Sequence, residues 1–230
     1  MLIERKRVLF NHFILLYRFD VAQNLSKINA YYDRVENFFD DEKIRIENEF
    51  EENASKIKLL SLQDKQELIG NFGLELFSTQ SDFPSLLRSS AIITIYNLIE
   101  QYLDETCHHL ESIGISKIQL KDINGKGIER AKTYLTKVVG IEFKTFNNQW
   151  CFIKNLNLIR NHIVHNGSIL PEDKSHKLSK FVESHHELSG KPGEELIVNK
   201  GFIHYSIDQL STFFEELFFT IMEKYRLTNL

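Results

Sequence analysis

Apolar residues recur at steps of three and four along most of this chain, which is the spacing of one face of an α-helix. The clearest stripe covers residues 207–225, and another covers residues 92–110 behind Pro84, a residue suited to the first helical turn. Few residues interrupt these stripes, because the chain contains only 10 Gly and 3 Pro. The pattern predicts an all-α fold, a bundle of helices packed through their apolar faces.

The longest stripe occupies residues 21–60 and predicts a long amphipathic helix or a helical hairpin. For a hairpin we expect the turn at the acidic pair Asp40-Asp41. We therefore expect one structural unit in which residues 1–69 form an N-terminal helical extension on a helical domain of residues 70–230. This long N-terminal arm would project or pack on a partner.

Residues 195–198 and 202–206 flank an Asn-Lys-Gly turn, and together they predict one short β-hairpin. Ser206 and Gln209 then have the spacing of a capping box at the start of the last helix.

Composition and location signals are those of a folded intracellular protein. Hydrophobic residues make up 42% of the 230 positions and 18 residues are Phe, which excludes a disordered chain. Two cysteines give no disulfide framework, so we expect a reducing, cytoplasmic compartment. An apolar run at residues 8–17 follows a basic segment, but Asn11 and His12 interrupt it, so we expect neither a secretory signal nor a membrane span.

Charge is unevenly distributed, although the net charge is only −4. Residues 117–180 contain 12 Lys and Arg against 5 Asp and Glu, whereas residues 33–67 are tilted towards acid. The basic segment is suited to a polyanion such as RNA. Ordinary solvated helix faces would give the same clustering, so both interpretations stay open.

The segment of residues 148–165 predicts a helix that ends at the capping pair Asn166-Gly167. At about 3.6 residues per turn, one line of this helix is polar, and Arg160 lies beside that line. The residues on the line are Lys154, Asn157, Asn161 and His165. A helix that only packed on a core would not require such a strip.

This stretch resembles the Arg-x4–6-His motif of the HEPN superfamily, in the form with Asn after the Arg. Arg160, Asn161 and His165 match that form, and residues 96–100 (Tyr-Asn-Leu-Ile-Glu) look like the helix that packs on the motif helix in this family. The likeness covers residues 70–230 in helix order, but only the short motif is specific. The resemblance implies a HEPN-like helical bundle.

The resemblance also implies a metal-independent endoribonuclease of the toxin or antiviral-defence type, which needs no cofactor. A ribose 2′-hydroxyl would attack the adjacent phosphorus, leaving 2′,3′-cyclic phosphate and 5′-hydroxyl ends. His165 would transfer protons near neutral pH, and Arg160 would clamp the phosphate. Asn161 would orient His165 or bind the ribose or phosphate.

Five further residues are expected to bind RNA or support the catalytic group: Glu100, Asn157, Lys154, Asn166 and Lys126. A lone carboxylate at the edge of an apolar stripe is costly, so Glu100 has either a structural pairing with Arg160 or a catalytic role. Lys126 lies in an Asn-Gly-Lys-Gly stretch that lacks phosphate-loop spacing and is expected to introduce a helix over residues 127–139. His162 and His165 have no third ligand placed by a motif, which disfavours zinc.

The expected partners are an RNA substrate and a second copy of the chain, since the resemblance implies two motifs that face each other across a shared cleft. An antitoxin or regulatory protein would restrain the activity. The alternative is a non-catalytic HEPN-like dimer that binds a partner protein or a nucleotide, with residues 21–60 as its docking surface. Arg160 and His165 would then serve structure or ligand binding.

Overall fold

The computed structural model describes the backbone of residues 2–227 and the side chains of residues 13–225. In that part of the chain there are seven α-helices: α1 (Leu2–Ile57), α2 (Leu62–Phe77), α3 (Phe83–Ser112), α4 (Gly127–Lys137), α5 (Asn147–Asn166), α6 (Lys177–Ser184) and α7 (Lys200–Leu227). A π-helical turn (Ser78–Asp82) joins α2 to α3, and a 3₁₀ turn (Leu120–Asp122) precedes α4. Two short strands, β1 (Leu188–Ser189) and β2 (Ile197–Val198), complete the fold. The predicted all-α class is confirmed.

Helix α1 is a single helix of 56 residues, and Asp40-Asp41 lies inside it. The turn predicted at that acidic pair is therefore wrong. Asp is only a moderately poor helix former, and α1 contains neither Gly nor Pro to break it. The chain turns at residues 58–61 instead, where the Ser61 side chain accepts a hydrogen bond from the Asp64 backbone N–H at 3.2 Å and so caps α2.

The two halves of α1 have different surroundings. In the first half, Tyr17, Val21, Leu25 and Tyr32 are buried in the main core, where α1 packs against α3 and α7. The second half pairs with α2 as a hairpin that is largely exposed. The first half of α1 is thus part of the core rather than an extension to it. The division of the chain at residue 69 stays a prediction.

The exposed hairpin enlarges the surface of the molecule. The accessible surface is 13937 Å², whereas a compact chain of this mass would present about 10,900 Å². The chain therefore has an arm, formed by residues 37–77.

A buried ion pair fixes the point where the arm leaves the core. Arg88 donates from Nε and Nη2 to the two carboxylate oxygens of Glu36 at 2.8 and 2.9 Å, and from Nη1 to the Val198 carbonyl at 3.1 Å. Burial would raise the pKa of Glu36, but the hydrogen bonds from Arg88 and Tyr32, together with the nearby positive charges of Arg88 and Lys200, outweigh it and hold that pKa below its ordinary value. One guanidinium thus joins α1, α3 and β2.

The β-hairpin is present, but with a different partner strand. β2 pairs antiparallel with β1, with Leu188 opposite Val198, whereas residues 202–206 lie in α7. The prediction of a strand at 202–206 and of a capping box at Ser206 is therefore wrong. Ser206 is buried inside α7, where its hydroxyl donates to the Phe202 carbonyl at 2.7 Å.

Helix α5 lies against both α3 and α7. Its buried face consists of Trp150, Phe152, Ile153, Leu156 and Ile159. The helix ends at Gly167, whose left-handed φ of 58° suits glycine, so the predicted helix and its cap are confirmed. The core packing of this buried face fixes which residues of α5 remain on its polar side.

Candidate functional site

The polar side of α5 carries the residues of the motif. Asn157, Arg160 and Asn161 are half-buried, whereas Lys154 and His165 are exposed. The strip predicted from helical spacing is confirmed in this respect, because every member retains access to solvent.

Asn161 is the centre of a small hydrogen-bond network on this face. Its side-chain oxygen accepts a hydrogen bond from Arg160 Nη1 at 3.0 Å, and its amide donates to the Asn157 side-chain oxygen at 3.1 Å. The network orients the guanidinium of Arg160. No hydrogen bond links Asn161 to His165 within the described residues, so orientation of His165 by Asn161 stays a prediction.

The guanidinium of Arg160 lies over the aromatic ring of Tyr96 in α3. Arg160 Cζ is 5.7 Å from the ring centroid, which is a cation–π distance. Burial, followed by the charge of Glu100, raises the pKa of Tyr96 well above its ordinary value, so this phenol stays neutral. Tyr96 was not among the predicted site residues. The available signal was its position one helical turn before Glu100 on the same helix.

No carboxylate in the described part of the chain forms an ion pair with Arg160. Its Nε is buried and has no hydrogen-bond partner. A half-buried guanidinium usually has an acidic partner, because a desolvated charge is costly on its own. Arg160 therefore retains an uncompensated positive charge and unused donors.

Pairing with Arg160 was one of the two roles expected of Glu100, and that ion pair is not formed among the described residues. Its carboxylate accepts a hydrogen bond from the Tyr96 hydroxyl at 3.4 Å. It also lies against Gly127 at the first turn of α4, where a Cβ would be only 2.5 Å from Glu100 Oε1. The positive end of a helix dipole stabilises a carboxylate there. Glu100 therefore packs against the amino end of α4 and does not pair with Arg160.

Lys126 immediately precedes α4 and is exposed. The next residue is Gly127, which lies against Glu100. Helix α4 begins at Gly127, the last residue of the Asn-Gly-Lys-Gly stretch, as predicted, but the Lys126 side chain makes no capping hydrogen bond. The basic side chain is therefore free to contact a ligand.

His165 lies in the last turn of α5 and is exposed. It forms no hydrogen bond, ion pair or ring contact with any residue described in the structure. At about 100° per residue it lies about 140° around the helix from Arg160. The structure joins Arg160, Asn161 and Asn157 by hydrogen bonds, and His165 is bonded to none of these three residues.

Asn166 and His162 complete the carboxyl end of α5. Asn166 is exposed, and its carbonyl accepts from the Ile169 N–H at 3.2 Å. His162 is half-buried and its ring centroid is 6.4 Å from that of His176. Burial, with His176 adding to it, lowers the pKa of His162. His162 is therefore neutral at pH 7, as a packed residue rather than a charged ligand would be.

Among the residues whose side chains are described, no group of three or more His, Cys, Asp and Glu is placed to hold a metal ion. None of the helices in that part is both long and apolar enough to cross a membrane. No family model, curated protein or solved structure matches this chain. The functional conclusion therefore depends on the geometry of the α5 face.

Proposed function

We propose that this protein is a metal-independent endoribonuclease of the HEPN type, acting as a toxin or antiviral effector in the cytoplasm. The observation that carries the proposal is the uncompensated charge of Arg160. The ring of Tyr96 and the side-chain oxygen of Asn161 hold its guanidinium in place, and no carboxylate among the described side chains is paired with it. A planar guanidinium with free donors is suited to a phosphodiester.

In the proposed reaction the 2′-oxygen forms a bond to phosphorus while the bond from phosphorus to the 5′-oxygen breaks. The 2′-hydroxyl loses its proton to a base and the 5′-oxygen gains one from an acid. His165 is the residue proposed for proton transfer, and Arg160 stabilises the charge that develops on the phosphoryl oxygens. Lys154 and Lys126 add attraction for the RNA backbone.

The reaction needs both a base and an acid, but each chain has only one candidate for proton transfer on α5, His165. His165 also lies about 140° around the helix axis from Arg160. We therefore include in the proposal a second copy of the chain whose α5 supplies the complementary group. An inhibitory protein would restrain the activity in the cell.

A second candidate, a non-catalytic module that binds a nucleotide or partner protein, is favoured by one observation. No hydrogen bond from a described residue orients the His165 imidazole, whereas a general base is usually held by a hydrogen bond to its second ring nitrogen. Under this candidate Arg160 binds a phosphate that is not cleaved.

Incubation with total RNA in EDTA separates the two candidates. We expect the wild-type protein to produce 2′,3′-cyclic phosphate ends, and Arg160→Ala and His165→Ala each to lower the rate by about 10²-fold or more. His186→Ala, at an exposed histidine outside α5, is the matched control and should retain the wild-type rate. Undiminished cutting by His165→Ala would refute the ribonuclease proposal, and intact RNA with retained nucleotide binding would support the module.

A further inference from the structure

Helix α2 is an unusual element, because none of its 16 residues is buried although many are apolar. Its inner side packs on α1, with the rings of Phe72 and Phe50 5.3 Å apart. In the described part of the chain, the main packing partners of α2 are α1 and the π-helical turn that continues it. A stable helix with an apolar outer side indicates a surface that is covered in the working protein.

The outer side of α2 forms a continuous uncharged stripe. At 100° per residue it spans an arc of about 140°. We call these residues the α2 stripe: Leu62, Gln66, Ile69, Gly70, Gly73, Leu74 and Phe77. Asp64 and Glu75 project from the opposite part of the helix.

The apolar side chains of this stripe are strongly exposed. The exposed fractions are 75% for Leu62, 48% for Ile69, 69% for Leu74 and 60% for Phe77, with 88% for the adjacent Leu59. Together these side chains present on the order of 500 Å² of apolar surface. Two copies joined through it would cover on the order of 1,000 Å², which is the lower limit expected of a specific interface between proteins.

The order of large and small residues along the stripe is self-complementary. In an antiparallel pair centred between Ile69 and Gly70, Leu62 of one copy lies opposite Phe77 of the other, and Ile69 lies opposite Gly70. Gly70 and Gly73 have no atom within 4 Å of the position that a Cβ would take, so each leaves room for a bulky side chain from the opposing helix. Bulky residues thus face small ones at the centre, and apolar residues face each other at both ends.

We propose that a second copy of this chain covers the α2 stripe, so that two copies associate through antiparallel α2 helices about a two-fold axis. The stripe lies on the arm and does not belong to the α5 face. This association is therefore independent of the ribonuclease proposal and of any sharing of sites between α5 helices. A charged or basic partner is disfavoured, because the stripe carries no charge to recognise it.

Ile69→Lys tests the proposal by placing a charge at the centre of the stripe. We expect it to halve the molar mass of the full-length protein at micromolar concentration, as measured by light scattering after size exclusion. Asn71→Lys makes the same charge change on the opposite side of α2 and is the matched control, expected to keep the wild-type mass. Circular dichroism checks that both variants retain their helix content.

Cross-linking fixes the register in the Cys151→Ser background, since Cys151 is an exposed thiol. The register places residue 66 of one copy opposite residue 73 of the other, so a Gln66→Cys/Gly73→Cys protein should form covalent dimers on mild oxidation. These two positions are about 10 Å apart within one helix, too far for an internal disulfide. Asp64→Cys/Asn71→Cys, equally spaced on the other side, should remain monomeric in denaturing electrophoresis.

A wild-type protein that is monomeric at micromolar concentration would overturn the proposal. So would an Ile69→Lys protein with an undiminished mass, or equal cross-linking of the two cysteine pairs. A halved mass without loss of RNA cleavage would support the α2 contact, and the ribonuclease proposal would stand if the remaining species still contains two α5 helices. Conversely, if His165→Ala loses cleavage and keeps the wild-type mass, cleavage depends on His165 and the α2 association does not.

Discussion

Arg160 in α5 and Tyr96 in α3 form one unit, with Arg160 Cζ 5.7 Å from the centroid of the Tyr96 ring. The ring supports a positive charge without neutralising it, which a carboxylate in the same place would do. This relationship explains how a half-buried arginine remains available to an anion. It also identifies Tyr96 as a positioning residue for the proposed reaction.

Removing the ring should weaken phosphate binding. Tyr96→Leu loses a cation–π contact worth about 1–2 kcal/mol, so we expect roughly 5- to 30-fold weaker binding of a non-cleavable 2′-deoxy oligonucleotide. Tyr96→Phe keeps the ring and should bind within about twofold of wild type, since the electrostatic contact is preserved. Equal losses in both variants would assign the effect to the hydroxyl and its bond to Glu100 instead.

Giving Arg160 an acidic neighbour should also weaken binding. Asn161 already accepts from Arg160 Nη1, so Asn161→Asp would convert that hydrogen bond into an ion pair and offset the charge. We expect at least about tenfold weaker oligonucleotide binding, from a charge-assisted bond of about 1.5–3 kcal/mol. Asn157→Asp, one step further along the network, is the control with a smaller effect. Unchanged affinity in Asn161→Asp would mean that Arg160 is not the anion-binding group.

Gly127 should tolerate substitution less well than another left-handed glycine. Gly127→Ala adds a Cβ 2.5 Å from Glu100 Oε1 at a φ of +52°, so it combines backbone strain with a clash. We expect a loss of about 2–3 kcal/mol in the free energy of unfolding, measured by urea denaturation. Gly167→Ala has a similar φ of +58° and open space, and should lose only about 1 kcal/mol. Equal losses would show that Glu100 does not pack against Gly127.

The Glu36–Arg88 pair should govern part of the acid stability. Because the pKa of Glu36 is lowered in the folded protein, its contribution is present above the ordinary value of about 4.3 and is lost as pH falls through the folded pKa. Glu36→Gln leaves Arg88 without a charge partner and should cost about 3 kcal/mol at pH 7, with a smaller further loss on acidification than wild type. Denaturation curves at pH 7 and pH 3.5 measure both effects.

Glu42→Gln is the control for that experiment. Glu42 pairs with Arg45 on the exposed surface of α1, so its removal should change the free energy of unfolding far less than Glu36→Gln does. A comparable loss in both variants would show that burial does not distinguish the two pairs.

Local signals in the sequence predicted local features well. The end of α5 depends on one glycine in a left-handed conformation, and the sequence contains that cap directly after the motif. The pattern at 202–206 alternates like a strand but also fits a helix. Tertiary packing decides it, since Phe202 and Ser206 both enter the core as successive turns of α7.

The candidate site was also predictable only in part, because packing between helices decides some of its contacts. Helical spacing placed Asn157 and Asn161 on one face, and the structure joins them by a hydrogen bond. The partner of Glu100 depended on a choice between Arg160 and the first turn of α4, two positive groups from different parts of the chain. Spacing within one helix carries no information about that choice, so neither the role of Gly127 nor the ring under Arg160 was predicted.

The unbroken course of α1 has a consequence for how the protein meets other molecules. A helix of 56 residues is about 84 Å long, and its distal end lies about 30 Å beyond Glu36. Helix α5 packs mainly on α3, α6 and α7, whereas the distal half of α1 pairs with α2. We therefore expect the arm and the motif helix to offer separate contact surfaces to large ligands.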